Sequence, residues 1–165
     1  MRRLGIDHGE RRVGLALSDE DGQIAHPRAT WTRKDQAALL DRIAGLVRAE
    51  DVSEIVVGLP LHLDGSEGAS ARRARRFAEK LAERTGIEVV LWDERLTTAA
   101  AQRSLAEAQV SVRDQRSVVD KVAAALLLQS YLDSRREREP TWPSADEAFA
   151  EPDEDRRRGG RSRGR

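Results

Sequence analysis

Apolar residues along the chain follow two periodicities, and the first of them marks strands. Runs such as residues 13–19 and 54–60 are rich in Val, Ile and Leu and are bounded by polar or glycine-containing turns, which is typical of buried strands. Pro27 falls inside another run, and proline favours the edge of a sheet. The strands that this pattern predicts cover residues 3–8, 13–19, 22–32, 54–60 and 87–94.

The second periodicity is helical. In residues 35–50 the apolar side chains recur every three or four positions, and Asp35 stands near the start, where an aspartate can cap the helix. Gly86 follows a similar segment and predicts its end, and Ser117 is in position to cap the last helix. The predicted helices cover residues 35–50, 70–85, 97–108 and 117–136.

The order of these elements predicts an α/β protein. Three successive strands joined by short turns predict an antiparallel meander, and two later strands, each reached through a helix, predict parallel pairing. The order β-β-β-α-β-α-β-α-α is similar to that of the ribonuclease H-like fold, a five-stranded mixed sheet flanked by helices. We expect this domain to occupy residues 1–139.

The apolar periodicity stops beyond residue 139. Residues 140–165 contain a run of acidic residues and then a run of arginines with glycine, a composition that predicts a disordered charged tail. Two roles are open for this tail, weak binding of RNA through its arginines or a contribution to solubility alone.

Composition narrows the class of protein without identifying its ligand. The 165 residues are 39% hydrophobic and 35% charged, with no cysteine and a net charge of zero. A thiolate metal site is therefore excluded, and the overall charge gives no argument for nucleic acid. No apolar run approaches the roughly 20 residues that cross a bilayer, and the first residues do not resemble a secretory signal. We expect a cytoplasmic protein with no membrane partner.

An aspartate stands where the first strand should be buried, in the stretch GIDHGERRVGLALSD. Because side chains alternate along a strand, Leu4 and Ile6 face one side. Asp7 faces the other side, next to the open space left by Gly5. A buried carboxylate is costly unless it meets a cation, hydrogen-bond donors or water. Asp7 is therefore either a functional acid or the cap of the turn that follows.

Three more acidic residues lie at the ends of predicted elements. Asp93 and Glu94 come where the last strand ends, and ligands collect at the carboxyl ends of parallel strands. Acidic residues are also favoured at the start of a helix, but this explanation accounts for one acid here better than for both. Asp120 shares a helix face with Ala124 and Leu127 on an otherwise apolar stripe, although Ser-x-x-Asp also resembles a capping box.

A sheet of this order can bring these acids to one edge. Carboxylates that converge repel one another unless a divalent cation binds them, and Mg²⁺ or Mn²⁺ prefers such oxygen ligands. The pattern therefore predicts a metal site able to hydrolyse a phosphodiester bond. The histidines are scattered along the chain, so a zinc site is not predicted, and His8 faces away from Asp7.

Four stretches together resemble the YqgF/RuvX family of ribonuclease H-like nucleases. They occur in order within residues 3–133 and read GIDHGERRVGLALSD, IVVGLPLHLDGSEG, VVLWDERLTTAAA and VVDKVAAALLLQSYLD. The family was named for Holliday junction resolvases and is linked to processing of the 5′ end of pre-16S ribosomal RNA in bacteria. The resemblance implies a catalytic triad of Asp7, Glu94 and Asp120 that binds Mg²⁺ or Mn²⁺, with Asp93 as a further candidate ligand.

The sequence departs from related nucleases at one position. Those enzymes usually carry an acid at the end of the central strand, whereas residues 58–60 here read Gly-Leu-Pro. If the strand before Glu94 lies beyond the central one, Asp7 and Glu94 stand two strands apart, about 9–10 Å at the backbone. Catalysis with one metal ion and catalysis with two are both open.

Arginines are placed to contact a polynucleotide backbone around these acids. Solvated helix faces explain some of them equally well, and aromatic residues are too few for a base-stacking platform. The expected nucleic-acid contacts are Arg11, Arg12, Arg72, Arg76, Arg95, Arg113 and Arg116.

Three functions are open at this point. The first is metal-dependent cleavage of structured RNA, with a pre-rRNA as the first choice, by a monomer or a homodimer. The second is cutting of four-way DNA junctions, which needs two symmetric cuts and predicts a dimer. The third is a non-catalytic RNA-binding module, which predicts no metal binding. The first stretch also resembles the phosphate loop of sugar kinases, but those need a second domain that 165 residues cannot supply.

Overall fold

A computed structural model describes residues 1–97, 99–107 and 116–138, so the predicted tail, residues 140–165, lies outside the described residues. The elements follow the predicted order. The strands are β1 (Arg2–His8), β2 (Arg12–Ser18), β3 (Ala25–Thr32), β4 (Val52–Leu59) and β5 (Glu88–Asp93). The helices are α1 (Gln36–Ala49), α2 (Ala69–Thr85), the 3₁₀ turn η1 (Glu94–Leu96), α3 (Ala99–Glu107) and α4 (Arg116–Arg138).

The five strands form one mixed sheet in the order β3-β2-β1-β4-β5. β2 pairs antiparallel with β1 and β3, whereas β4 pairs parallel with β1 and β5. The predicted meander and the predicted parallel pairs are confirmed, and Pro27 does lie in an edge strand. β4 separates β1 from β5, so the backbones that carry Asp7 and Glu94 stand two strands apart.

One face of the sheet is covered by α1 and α2. Leu4, Ile6 and Ile55 project from the central strands into a core that also contains Ile43 of α1 and Phe77 of α2. All five side chains are almost fully buried. This core uses the apolar positions that the sequence assigned to one side of the first strand.

The opposite face is covered by α4, against which α3 packs. Ala124 and Leu128 of α4 are buried with Val56 of β4. A Cβ atom on Gly5 would lie 2.7 Å from the Cβ of Leu128, closer than two carbon atoms can approach. Glycine therefore lets α4 approach β1 closely, on the side of the strand to which Asp7 also belongs.

The ends of the helices follow local chemistry, with one difference from expectation. Asp35 caps α1 by accepting a hydrogen bond of 3.1 Å from the amide of Ala38, and Gly86 ends α2 in the left-handed conformation, with φ of 67°. The expectation that Ser117 caps the last helix is wrong, because α4 already begins at Arg116. None of the described helices is long and apolar enough to cross a membrane.

Candidate functional site

Asp7 and Glu94 meet at the carboxyl ends of the parallel strands. Asp7 lies near the end of β1, and Glu94 opens the turn that follows β5. Although β4 separates their backbones, the two side chains form a hydrogen bond. Two carboxyl groups can bond directly only when one of them carries a proton, because an ionised carboxylate has nothing to donate.

Gly58 opens the path between these two acids. It lies in β4, and a Cβ atom there would stand 2.6 Å from Oε1 and 3.2 Å from Cγ of Glu94. The same Cβ would stand 2.5 Å from Cδ1 of Leu127 in α4. The Glu94 side chain therefore crosses β4 in the space that a glycine leaves empty. The end of β4, where the sequence has no acid, therefore leaves room for the acid that follows β5.

Gly14 brings α4 to the other side of Asp7. Asp7 and Gly14 are direct partners in the pairing of β1 with β2. A Cβ atom on Gly14 would lie 2.0 Å from the carbonyl oxygen of Asp120, so no other residue fits without movement of the helix backbone. Asp120 is thereby fixed beside Asp7, and its negative charge raises the pKa of Asp7.

Arg12 provides the positive charge next to Asp120. Its Nε atom lies 3.0 Å from Oδ2 of Asp120, and the two side chains are 49% and 26% exposed. The pair lacks hydrogen-bond geometry: Oδ2 is a buried atom with no hydrogen-bond partner among the described residues. Asp120 is therefore held by charge alone at this oxygen, which leaves the oxygen able to accept another ligand.

Burial and mutual repulsion raise the pKa of the paired acids. Burial, followed by the charge of Asp7, the hydrogen bond with Asp7 and the charge of Asp93, raises the pKa of Glu94 to about 7. Burial and then the charge of Asp120 raise the pKa of Asp7, which the bond with Glu94 lowers in part. The raised pKa lets Glu94 hold a proton near neutral pH and donate it to Asp7.

The acids offer the oxygen ligands of a hard divalent cation, although they do not form a ready-made site. Within the three described ranges, no group of three histidine or acidic side chains is placed to hold a metal ion. Asp7 and Glu94 are in contact, whereas Asp120 is paired with Arg12. The donor set nevertheless fits Mg²⁺ or Mn²⁺, because buried carboxylates that repel one another are stabilised by a shared cation.

Asp93 is engaged by Arg95 rather than by the other acids. Its carboxylate oxygens accept hydrogen bonds of 2.7–3.1 Å from the backbone amide and the guanidinium of Arg95. These bonds hold the pKa of Asp93 below its usual range. Arg95 also donates to the carbonyl oxygens of His62 and Leu63, at 3.5 and 3.2 Å. The pair therefore ties the end of β5 to the loop between β4 and α2.

His8 takes a packing position, whereas His26 and His62 are exposed. His8 stacks on Phe77 with ring centroids 4.4 Å apart, on the side of β1 opposite Asp7. Burial and the charges of Arg33 and Arg73 lower the pKa of His8 to about 4, so its ring is neutral at physiological pH. His62 lies against Gly68, where a Cβ atom would stand 2.6 Å from its Nε2.

Five of the seven arginines expected to contact nucleic acid have described side chains. Arg11 and Arg12 are exposed beside the end of β1, and Arg72 and Arg76 are exposed on α2. Arg113 lies outside the described residues. Arg95 is 38% exposed on its side chain, and Arg116 is the first residue of α4.

Sequence reasoning missed two basic residues near this site, Arg33 and Lys34. They follow β3, and because β3 pairs antiparallel with β2, they lie beside the turn that contains Arg11. The signal was available in the sequence, because an antiparallel meander places the end of its third strand beside the start of its second. Arg33, Lys34 and Arg11 line one cavity, together with Arg12.

The sheet order, with acids at the ends of β1 and β5, defines an α/β protein of the ribonuclease H-like class. Solved structures have the same fold. Thermus thermophilus RuvC in complex with a Holliday junction substrate matches with a TM-score of 0.57 at 15% identity, over 83% of this chain and 96% of that chain. The Fowlpox virus resolvase, solved with Holliday junction DNA, matches with a TM-score of 0.51 at 11% identity, over 82% and 99%.

The family model RuvX, described as Holliday junction resolvase, matches residues 1–134. A protein of Halalkalibacterium halodurans named "Putative pre-16S rRNA nuclease" is 46% identical over 138 residues, 82% of this chain and 99% of the relative. A protein of the same name from an Anaeromyxobacter species is 50% identical over 135 residues, 82% of this chain and 98% of the relative. The chain belongs to the RuvX family, as its four motifs indicated. The family description and the names of these relatives identify a nuclease, a hydrolase of phosphodiester bonds.

Proposed function

We propose that this chain is a metal-dependent endonuclease that processes the 5′ end of pre-16S rRNA during ribosome biogenesis in the cytoplasm. The observation that carries the proposal is the contact between Asp7 and Glu94 across β4, with Asp120 fixed alongside. Acids at one end of a sheet suit a cation that also binds phosphate oxygens. The names of relatives at 46% and 50% identity support pre-16S rRNA as the substrate.

In this proposal Asp7, Glu94 and Asp120 are the catalytic residues and bind Mg²⁺ or Mn²⁺ as carboxylates. When bound, the cation supplies Lewis-acid activation of water and stabilisation of the leaving oxygen. As a metal ligand Glu94 would be ionised and would not keep the proton that it shares with Asp7. Asp93 is a further ligand only if Arg95 releases it.

The surrounding arginines position the substrate. Guanidinium groups match phosphate oxygens in pairs, and such contacts orient a polynucleotide without reading its bases. Arg12 would have two roles, because its guanidinium pairs with Asp120 and is exposed enough to contact a backbone phosphate as well. The proposed phosphate contacts are Arg11, Arg12, Arg72, Arg76, Arg95, Arg113 and Arg116.

A second candidate function is resolution of four-way DNA junctions. The description of the RuvX family model favours it. Resolution requires two symmetric cuts, so this function needs two copies of the chain with their acidic sites facing the two strands that are cut. A homodimer that cuts a junction in pairs would replace the ribosomal proposal, whereas the chemistry at Asp7 and Glu94 would be the same.

The test compares two substrates under the same conditions. Purified protein is incubated with Mg²⁺ or Mn²⁺ and either a pre-16S rRNA fragment that carries its 5′ leader or a synthetic four-way DNA junction. Metal-dependent cutting of the RNA alone supports the ribosomal function, and paired symmetric cuts in the junction support the resolvase. Cleavage of neither substrate, with binding of RNA retained, contradicts both functions and favours a binding module.

The control is an isosteric substitution at another aspartate. Asp7→Asn removes the charge at the site, whereas Asp21→Asn makes the same chemical change in an exposed turn at the opposite end of β2. Cleavage should be lost in the first variant and kept in the second. Calorimetric titration with Mn²⁺ alone gives a readout apart from activity, and the proposal requires weaker Mn²⁺ binding in Asp7→Asn than in Asp21→Asn.

A further inference from the structure

A basic cavity of about 560 Å³ lies between the β1–β2 turn and the end of β3. Of the described residues that line it, four have cationic side chains and one, Glu10, is a carboxylate. The residues that line it are Glu10, Arg11, Arg12, Thr32, Arg33 and Lys34. The cavity therefore carries an excess of positive charge although the chain as a whole has a net charge of zero, and its chemistry suits an anion.

Arg33 makes one wall of this cavity rigid. Its Nη1 atom donates hydrogen bonds to the carbonyl oxygens of Gly9 and Glu10, at 2.7 and 2.8 Å. Its backbone amide donates to the carbonyl oxygen of Arg11 at 3.0 Å. Because its guanidinium binds neutral carbonyl groups there, these bonds hold Arg33 in place without neutralising it. A fixed cation binds an anion at a smaller entropic cost than a free side chain does.

Two further cations of the cavity are not held in ion pairs. Arg11 and Lys34 are exposed, and neither forms an ion pair with the described part of the chain. Arg33 is repelled by a neighbouring positive charge. Burial and then the charge of Arg73 lower the pKa of Arg33, while the charge of Glu10 opposes the shift. An anion in the cavity would relieve this repulsion.

Arg12 connects the cavity to the acids. It lines the cavity, and its Nε atom lies 3.0 Å from Asp120. We propose that the cavity binds a phosphodiester group of the substrate strand next to the phosphate that is cut, and that Arg33 and Lys34 are its binding residues together with Arg11. This inference rests on the proposed nuclease function and deepens it, because it names where the strand continues beyond the acidic site.

The chemistry favours phosphate over a planar organic anion. The cavity presents guanidinium groups, which bind phosphate oxygens in pairs, next to the ammonium group of Lys34, which acts as a point charge. None of the described residues that line it is aromatic, so they offer a base no ring on which to stack. The predicted contact is therefore independent of base sequence.

The experiment measures how RNA binding depends on salt. The Asp7→Asn protein, in EDTA so that no strand is cut, is titrated into a fluorescently labelled single-stranded RNA at several salt concentrations. The slope of log K against log salt is negative, and each lost phosphate contact lowers its magnitude by about 0.7. Lys34→Gln and Arg11→Gln are each introduced into this background, and both positions are exposed, so that the fold is kept. Arg48→Gln, an exposed arginine of α1, is the matched control.

The proposal expects a slope of smaller magnitude in Lys34→Gln and in Arg11→Gln, and the slope of the parent protein in Arg48→Gln. Equal slopes in Lys34→Gln and Arg48→Gln overturn it, as does a failure of the parent protein to bind RNA. The nuclease function is decided separately by the cleavage assay on the native chain. If the native chain cleaves RNA but the slope is unchanged in Lys34→Gln, the proposed phosphate site is wrong and the proposed nuclease function stands.

Discussion

The carboxyl groups of Asp7 and Glu94 are hydrogen-bonded to each other although a whole strand separates their backbones. Glutamate is long enough to cross β4, and it crosses where Gly58 has no side chain. Nothing in β5 alone requires this contact. It exists because the order and register of β1, β4 and β5 place Glu94, Gly58 and Asp7 in line across the sheet.

Gly58→Ala tests that geometry. The added Cβ would stand 2.6 Å from Oε1 of Glu94 and 2.5 Å from Cδ1 of Leu127, so both side chains must move. We expect the free energy of unfolding to fall by about 1–3 kcal/mol, as overpacking does, and cleavage to fall by about 100-fold through misplacement of Glu94. Denaturant titration and initial cleavage rates measure the two effects.

The matched control for this variant is Gly45→Ala. Gly45 lies within α1, and nothing stands within 4 Å of the position of its Cβ. Alanine should raise the free energy of unfolding there by about 0.5–1 kcal/mol, because glycine is a poor helix residue. Its cleavage rate should equal that of the native chain. An equally active Gly58→Ala protein would show that Glu94 does not need this passage.

Gly14→Ala should be more damaging than Gly58→Ala. Its Cβ would meet backbone atoms of α4, 2.0 Å from the carbonyl oxygen of Asp120, and backbone yields less readily than the end of a side chain. We expect a loss of about 3 kcal/mol or more in the free energy of unfolding, measured by denaturant titration. A Gly14→Ala protein as stable as Gly45→Ala would contradict the close approach of α4 to β2.

Arg12→Gln should separate metal binding from substrate binding. Removal of the guanidinium takes away the positive charge 3.0 Å from Oδ2 of Asp120, so a cation no longer competes with it. We expect Mn²⁺ to bind a few-fold more tightly, on the scale of about 1 kcal/mol for an exposed ion pair, and RNA to bind more weakly. Calorimetric titration with Mn²⁺ in the absence of RNA checks the first effect.

Arg48→Gln again serves as the control, since it removes the same charge from the exposed surface of α1. It should leave both affinities unchanged. Weaker Mn²⁺ binding in Arg12→Gln than in this control would mean that Arg12 supports the acids instead of competing for them.

The proton shared by Glu94 gives the metal-free protein a defined dependence on pH. The pKa of Glu94 in the folded chain, about 7, lies above its ordinary value of 4.5. Its contribution to stability is therefore full below pH 4.5 and is lost as the pH rises through about 7. His8, whose pKa is lowered to about 4, acts in the opposite sense and destabilises the fold as the pH falls below 6.5.

Comparison with Glu94→Gln isolates the first of these effects, because His8 is present in both proteins. In EDTA, the melting temperature of the native chain should fall relative to that of Glu94→Gln as the pH is raised from 4.5 through 7. Thermal unfolding followed by circular dichroism gives the two curves. A difference in melting temperature that is constant over this range would be inconsistent with a proton held at Glu94.

Local patterns determined the elements and the face on which the first acid lies. The alternation of Leu4 and Ile6 with Gly5 and Asp7 depends only on the twofold repeat of a strand, and burial of Leu4 and Ile6 under α1 and α2 confirms it. The spacing of apolar residues likewise identified every described α-helix to within a few positions. These features depend on residues that are close together in the chain, so they can be predicted from the sequence.

The assembly of the site was decided by tertiary structure. The sequence indicated that Asp7 and Glu94 stand two strands apart, but only the register of β1, β4 and β5 puts Gly58 under the path of the Glu94 side chain. Other contacts of this kind are the approach of α4 to Gly14, the pairing of Arg12 with Asp120, and the return of Arg33 to the turn after β1. Each joins residues far apart in the chain. Such contacts form only when the whole sheet and its helices are packed, since local periodicity carries no information about distant partners.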